Sequence, residues 1–194
     1  MKLGRLVLRA AVGGFFVGHG TQKLFGWFGG HGLEQTAQAF ESMGARPGRV
    51  NALAAGAAET GGGALLLLGL ATPLAASAIT SVMLTAINRV HKKNGPWMTA
   101  GGYEYNVVLI GAALTLAEIG PGSPSLDSAL GIDTHGPGWA VAALAAGAAG
   151  AAGAHLYAER QPAPLASPEA APQPGPEGPP QDAEAAAPQP APAR

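Results

Sequence analysis

Four ionisable side chains lie inside two stretches of sequence that are otherwise almost entirely apolar. Arg9, His19 and Lys23 fall in the first stretch, and Glu59 lies near the middle of the second. A carboxylate, an imidazole and an ammonium group brought together could bind the polar head of a ligand or exchange protons with it. A charge at membrane depth costs about 3 kcal/mol or more. We therefore expect these side chains to face a partner or a water-filled cavity, and not lipid.

The basic residues of the first stretch share one face of a helix. Four basic residues and two apolar residues follow one another at intervals of four, three, four, three and four positions. They are Arg5, Arg9, Val12, Phe16, His19 and Lys23. At about 100° per residue, this spacing keeps the six side chains close to one line along the helix. In an antiparallel pair of helices, Glu59 comes to a depth similar to that of His19. The pattern predicts that Glu59 contacts at least one of His19, Lys23 and Arg9.

The elements that must position these side chains are long apolar helices. A helix needs about 20 residues to cross a bilayer, and five stretches approach this length: residues 6–28, 50–70, 73–90, 103–119 and 139–157. The last is rich in Ala and Gly and is only weakly hydrophobic. A short amphipathic helix is expected between the first two, and residues 120–136 are expected to form a polar loop. The sequence thus predicts an all-α, polytopic membrane helix bundle with four core transmembrane helices and a fifth, C-terminal one.

Composition supports this class and excludes others. Only 12% of the 194 residues are charged, whereas a soluble domain averages about 25%. The net charge of −1 gives no basic face for nucleic acid, and the absence of cysteine excludes thiolate-bound metals and iron–sulfur clusters. No nucleotide-binding fingerprint, haem site or other metal site is indicated. Residues 161–194 hold 11 of the 17 prolines, so we expect a disordered Pro/Ala-rich tail there.

Connectivity predicts that further polar residues gather at one end of the bundle. The connection between the second and third helices is short, so the first two helices and the next two are joined on the same side. His91, Tyr103 and Glu104 therefore lie at the end toward which Lys23 points. The predicted polar site comprises His19, Lys23, Glu59, His91, Tyr103 and Glu104.

Several short motifs resemble those of the DoxX family of small bacterial integral membrane proteins. They are GHGTQKLFGWFGG (residues 18–30), AETGGG (58–63), HKKNG (91–95), GYEYN (102–106), GPGS (120–123) and SLD (125–127). The motifs follow the family's order over about residues 1–133. The resemblance implies a four-helix domain (1–133) in the bacterial inner membrane, with an added helix (134–160) and a tail (161–194) outside it. It also implies that Asp127 and the six residues of the predicted site are the family's polar positions.

Two functions from different classes are compatible with this pattern. The family is named after a small subunit of a membrane thiosulfate:quinone oxidoreductase, which implies a redox-associated subunit that binds quinone or docks a soluble oxidoreductase. A quinone site needs an apolar cleft, donors for the head carbonyls and an acid for protons, and His19, Lys23 and Glu59 could supply them. The alternative is a non-enzymatic membrane protein: a proton or small-solute pathway, or an assembly scaffold. The expected partners are membrane lipid and a soluble redox protein, and whether the chain is an enzyme stays open.

Overall fold

The computed structural model describes residues 3–162, and these residues form helices and loops without any β-strand. Seven α-helices follow one another: α1 (Leu3–Phe25), α2 (Gly32–Ser42), α3 (Gly48–Leu68), α4 (Thr72–Ala86), α5 (Glu104–Ile119), α6 (Leu126–Leu130) and α7 (Pro137–Glu159). The all-α prediction is confirmed for this part of the chain. The tail predicted for residues 161–194 lies outside the described residues from position 163 onward.

Each predicted apolar helix is present, although its ends differ from the prediction by a few residues. The first helix ends at Phe25 and not at residue 28, because Gly26 takes a left-handed conformation with φ of 73° and a 3-10 turn follows. The helix α6 lies in the segment that was predicted as loop. Ser125 is its N-cap, and the Ser125 hydroxyl accepts a hydrogen bond from the backbone N–H of Ser128 at 3.2 Å.

The helices α1 and α3 form a close antiparallel pair through glycines spaced seven residues apart. A methyl group placed on Gly13 would lie 2.7 Å from the carbonyl oxygen of Gly63. A methyl group on Gly20 would lie 2.7 Å from the carbonyl oxygen of Gly56. Only glycine permits such an approach of two helix backbones. The pairing sets the depth at which the polar side chains of the two helices meet.

The other helices complete a bundle around one apolar layer. Its largest side chains come from four helices: Val12 and Phe16 of α1, Leu66 of α3, Ile79 and Met83 of α4, and Leu116 of α5. The helix α7 packs against α4 and α5, and α2 packs against α3. Glu41 of α2 accepts a hydrogen bond from the backbone N–H of Gly48 at 2.5 Å, and Glu34 of α2 forms an ion pair with Arg49. These contacts fix α2 across one end of the bundle.

One helix of the described residues, α7, is long and apolar enough to cross a membrane by itself. The polytopic arrangement predicted from sequence is therefore not confirmed by helix length and composition. The reasons differ between the helices. The helices α4 and α5 have only 15 and 16 residues. The helices α1 and α3 have 23 and 21 residues, but charged and small residues lower their hydropathy.

Candidate functional site

A cavity of about 700 Å³ lies inside the bundle, between α1, α3, α4, α5 and α7, with α2 at one end. Most of its wall is apolar, formed by alanine, valine, phenylalanine and methionine side chains. The polar groups that line it are His19, Lys23, Asn51, Glu59, Ser81, Thr85, Arg89, His91, Tyr105 and Asn106. The structure thus brings four residues of the predicted site, His19, Lys23, Glu59 and His91, to one cavity.

An ion pair between Lys23 and Glu59 forms the polar end of this cavity. The Nζ of Lys23 donates to the Oε2 of Glu59 at 2.6 Å, and the two side chains are 26% and 5% exposed. Glu59 lies beside the close α1–α3 contact, where Gly20 faces Gly56 and Thr60. Lys23 is about one turn further along α1, and its long side chain spans this distance to reach the carboxylate. Glu59 contacts one of the three basic residues named from sequence, as predicted. In the described residues neither side chain has a second hydrogen-bond partner, so both retain capacity for a ligand.

The two histidines of the site lie at different places on the cavity wall. The Nδ1 of His19 is 3.1 Å from the Oε1 of Gln22, one turn further along α1. The Nδ1 of His91 is 2.8 Å from the carbonyl oxygen of Gly101, in the loop before α5. His91 ends a π-helical turn, Ile87–His91, that continues α4. His91 therefore ties this loop to the end of α4 and also lines the cavity.

Tyr103 and Glu104 are not among the residues that line the cavity. The Oε1 of Glu104 accepts a hydrogen bond from the backbone N–H of Met98 at 2.8 Å. The backbone N–H of Tyr103 donates to the carbonyl oxygen of Gly95 at 3.2 Å. Both residues thus hold the loop that precedes α5 in shape. Because α5 begins at Glu104, the next residues along the helix, Tyr105 and Asn106, face the cavity instead.

Asn106 and Arg89 line the cavity but were not included in the predicted site. Asn106 is 5% exposed, and its Nδ2 lies 3.3 Å from the Sδ of Met83. A single amide near the start of an otherwise apolar helix was the available sequence signal. Arg89 was visible as a basic residue after an apolar helix, a position that usually marks membrane topology. The structure turns it toward the cavity and within 3.5 Å of the carbonyl oxygen of His155.

Arg9 does not belong to the cavity, although it shares a helical face with His19 and Lys23. Its guanidinium donates to four backbone carbonyl oxygens: Leu66 at 3.1 Å, Leu67 at 2.9 Å, Pro121 at 2.9 Å and Pro124 at 2.8 Å. The first two are at the C-terminus of α3, where a cation also interacts favourably with the helix dipole. Arg9 is 3% exposed. The basic face of α1 therefore serves two separate sites.

Asp127 completes the polar cluster around Arg9, which we call the closed end of the bundle. The Oδ1 of Asp127 accepts a hydrogen bond from the backbone N–H of Ala71 at 2.9 Å, and its Oδ2 accepts from the Thr72 hydroxyl at 3.4 Å. The backbone N–H of Asp127 donates to the carbonyl oxygen of Gly69 at 2.9 Å. A carboxylate from the first turn of α6, distant in sequence, thus caps the N-terminus of α4. Asp127 has a structural environment, and it lies away from the cavity.

The substitution Glu59→Gln tests the importance of the buried ion pair. The amide keeps the size of the side chain but removes the charge that neutralises Lys23. We expect the free energy of unfolding to fall by about 3–5 kcal/mol, the usual cost of breaking a buried pair. Thermal unfolding of detergent-purified protein measures this, and Glu104→Gln is the matched control. Equal melting temperatures for both variants and the wild type would contradict a structural role for the pair.

The residues described here could hold a polar organic head group better than a metal ion. Within residues 3–162, no three histidine or acidic side chains come together as metal ligands would. The cavity instead offers donors, Lys23, Arg89 and Asn106, and one buried carboxylate, Glu59. Ligand sites of this size commonly combine apolar walls with a few placed polar groups.

The comparison with protein families gives one match. Residues 4–92 match the DoxX family model, while no curated protein and no solved structure matches the chain. The matched segment runs from α1 through the π-helical turn after α4 and contains His19, Lys23, Glu59 and His91. Tyr103, Glu104 and Asp127 lie beyond it. Residues 4–92, which include both halves of the buried ion pair, therefore form a DoxX domain, the domain of a family of membrane-associated proteins.

Proposed function

We propose that this protein is a polytopic membrane protein of the bacterial inner membrane whose cavity binds a quinone. The observation that carries the proposal is the Lys23–Glu59 ion pair at one end of a mainly apolar cavity of about 700 Å³. A quinone has the complementary form: a flat head with two carbonyl oxygens that accept hydrogen bonds, and an apolar tail. In this role the chain acts as a redox-associated subunit, and its electrons come from a soluble oxidoreductase that docks on it.

The distribution of apolar and charged residues supports insertion of the whole bundle into the bilayer. Large apolar side chains are exposed on the outside of every long helix, for example Phe15 (69%), Leu68 (50%), Leu74 (62%), Val108 (64%) and Val141 (66%). Charged residues are instead buried inside: Arg9, Glu59 and Asp127 are each at most 3% exposed as whole residues. A soluble protein shows the opposite arrangement. Helices shorter than a full span are accommodated by local thinning of the bilayer and by interfacial residues.

The cavity supplies the groups that quinone reduction needs from a protein. Reduction to the quinol takes two electrons and two protons. Lys23 and His19 can donate hydrogen bonds to a head carbonyl, which favours the charge that develops on oxygen. Glu59, which is ionised in the ion pair, can take a proton from the hydrated end of the cavity and then pass it to the reduced oxygen, and a second round of this relay supplies the second proton. The head group therefore fits between His19 and the ion pair, with the tail along the apolar wall.

Binding measurements on purified protein test this function. Wild-type protein in detergent is expected to bind a short-chain ubiquinone analogue, and organic extraction of gently solubilised protein should release bound quinone. Lys23→Met should weaken binding of the analogue at least tenfold, because it removes a charge-assisted hydrogen bond worth about 1.5–3 kcal/mol. Lys92→Met is the control, since Lys92 is an exposed lysine that does not line the cavity. Absence of quinone from the extract, together with no binding of the analogue, would refute the proposal.

A proton or solute pathway is the competing function, and one feature of the bundle argues against it. The apolar layer formed by Val12, Phe16, Leu66, Ile79 and Leu116 lies between the cavity and the closed end of the bundle. A pathway needs polar groups or water from one side of the membrane to the other. A cavity closed at one end suits a binding site better. Proton leak from liposomes that contain the protein but no quinone would favour the pathway instead.

A further inference from the structure

The residues that line the cavity are not all hidden inside the bundle. On α1, the residues Ala11, Phe15 and His19 line the cavity and are also exposed on the outside, Phe15 by 69%. On α5, Tyr105 lines the cavity and is 50% exposed. A residue that both lines a cavity and faces the outside marks a place where the cavity opens. The side wall of the bundle is therefore open between α1 and α5.

The shape of this opening follows from where α1 and α5 meet. Leu8 of α1 and Ala112 of α5 both pack against the apolar layer, so the two helices are joined through that layer below the cavity. One to three turns further along α1, Ala11, Phe15 and His19 border the cavity, and Tyr105 and Leu109 do so on α5. We call the gap bordered by these five residues the lateral opening. Its rim is apolar except for His19 and the hydroxyl of Tyr105.

The end of the cavity that faces water is covered on the α2 side, while Met98 of the loop before α5 lines the cavity and is 44% exposed. Phe40, Met43 and Ala45 line the cavity at this end, and Ala45 is only 5% exposed. The helix α2 that carries Phe40 is held to α3 by the contacts of Glu41 with Gly48 and of Glu34 with Arg49. On the α2 side, a ligand that arrives from water has to displace these residues. Ala54 of α3 and Gly150 of α7 also line the cavity and are exposed, but neither carries a large apolar side chain comparable to Phe15 at the lateral opening.

We propose that the cavity is filled from the hydrocarbon phase of the membrane through the lateral opening, and that its ligand is a membrane-dissolved molecule whose apolar chain lies across Phe15 and Leu109. This inference rests on the membrane insertion proposed above, and it specifies the ligand class and its route. The position of the polar groups supports it: the Lys23–Glu59 pair lies inward and the apolar rim outward. The head of the ligand therefore enters first, and its chain stays in contact with lipid.

Cysteine labelling in proteoliposomes tests the route without any ligand. The chain has no cysteine, so Ala55→Cys introduces one thiol, on the α3 wall of the cavity. We expect an apolar, bilayer-dissolved maleimide to label this thiol at least tenfold faster than a charged, water-soluble thiosulfonate. Each rate is taken relative to that of Lys93→Cys, an exposed loop position. Ala113→Cys, which is fully buried in the apolar layer, should stay unlabelled by both reagents.

Narrowing the lateral opening provides the second arm of the test. Ala11→Trp places a large ring at the rim and should slow labelling of the Ala55→Cys thiol by the apolar reagent at least fivefold. Gly14→Trp is the matched control on the same helix, because Gly14 is exposed, does not line the cavity and has no neighbour within 4 Å of an added methyl group. Faster labelling from water, or no effect of Ala11→Trp, would overturn the lateral route.

A ligand measurement separates this inference from the proposed function. Ala11→Trp should weaken binding of a quinone with a decyl chain at least fivefold, and binding of the chain-free head group less than twofold. Equal effects on both molecules would overturn the placement of the chain in the lateral opening. If no quinone binds but the labelling pattern holds, the lateral route stands and the quinone proposal fails.

Discussion

Replacing Arg9 by methionine is expected to prevent stable folding of the bundle. The guanidinium serves four carbonyl oxygens, two at the C-terminus of α3 and two in the segment between α5 and α6. Each buried acceptor that loses its partner costs about 1–3 kcal/mol. The carbonyl oxygen of Leu66 keeps one bond from the N–H of Gly69, so we expect a total loss of about 4 kcal/mol or more. The yield of monodisperse protein and its melting temperature in detergent measure this loss.

Two further variants show whether the loss comes from hydrogen bonding and not from charge. Arg9→Lys keeps the charge, but one ammonium group has three donors and cannot span four carbonyl oxygens, so an intermediate melting temperature is expected. Arg49→Met removes an exposed arginine whose side chain is 61% accessible, and its effect should stay within about 1 kcal/mol. If the melting temperature of Arg9→Met equals those of Arg49→Met and the wild type, Arg9 does not stabilise the closed end of the bundle.

A single added methyl group at Gly63 should also disrupt the bundle. The methyl carbon in Gly63→Ala would lie 2.7 Å from the carbonyl oxygen of Gly13 and 2.7 Å from the backbone nitrogen of Val17. Backbone atoms cannot rotate away as a flexible side chain can, so α1 and α3 must move apart. Overpacking of this kind costs about 1–3 kcal/mol and occasionally more. We expect the upper end of this range, because separation of α1 and α3 also pulls Lys23 away from Glu59.

Gly61→Ala is the matched control for this substitution. Gly61 lies two residues away on the same helix, and an added methyl group has no neighbour within 4 Å. Alanine is the better helix former by about 1 kcal/mol, so Gly61→Ala should melt at or slightly above the wild-type temperature. A decrease for Gly61→Ala equal to that for Gly63→Ala would mean that glycine acts through backbone flexibility and not through close approach.

The sequence was sufficient to predict the long helices and a contact of Glu59 with at least one of the basic residues His19, Lys23 and Arg9. Helix spacing places the basic residues on one face, and the cost of a buried charge then demands a partner for Glu59. The partners of Arg9 could not be predicted in the same way. They are backbone carbonyl oxygens, which every residue carries, and which of them lack a bond depends on where α3 ends and how the loop after α5 folds.

The position of Tyr103 and Glu104 outside the cavity lining has a similar origin. Connectivity predicted only the end of the bundle at which they lie, and which side chains of α5 face the cavity depends on where the helix begins, because each residue turns the helix by about 100°. The start of α5 is set by the loop bonds of Glu104 to Met98 and of Tyr103 to Gly95, which no periodic pattern reveals. The close α1–α3 contact uses glycines, as is common where membrane helices approach, but no periodic pattern indicates which glycines of the two helices meet.

The π-helical turn at Ile87–His91 gives the fourth helix two rotational phases. Before this turn, α4 packs closely against α7. A methyl group on Gly147 of α7 would lie only 2.6 Å from the Cβ of Thr80 of α4. Within the turn, Arg89 lines the cavity, and His91 reaches both the cavity and the loop before α5. A π turn bonds residues five apart and so departs from the α-helical register. Loss or gain of one residue in this turn rotates the side chains that face the cavity about the helix axis. The residues of α4 that contact α7 keep their positions. Among related chains, length variation is therefore expected at this turn and not within the buried half of the helix.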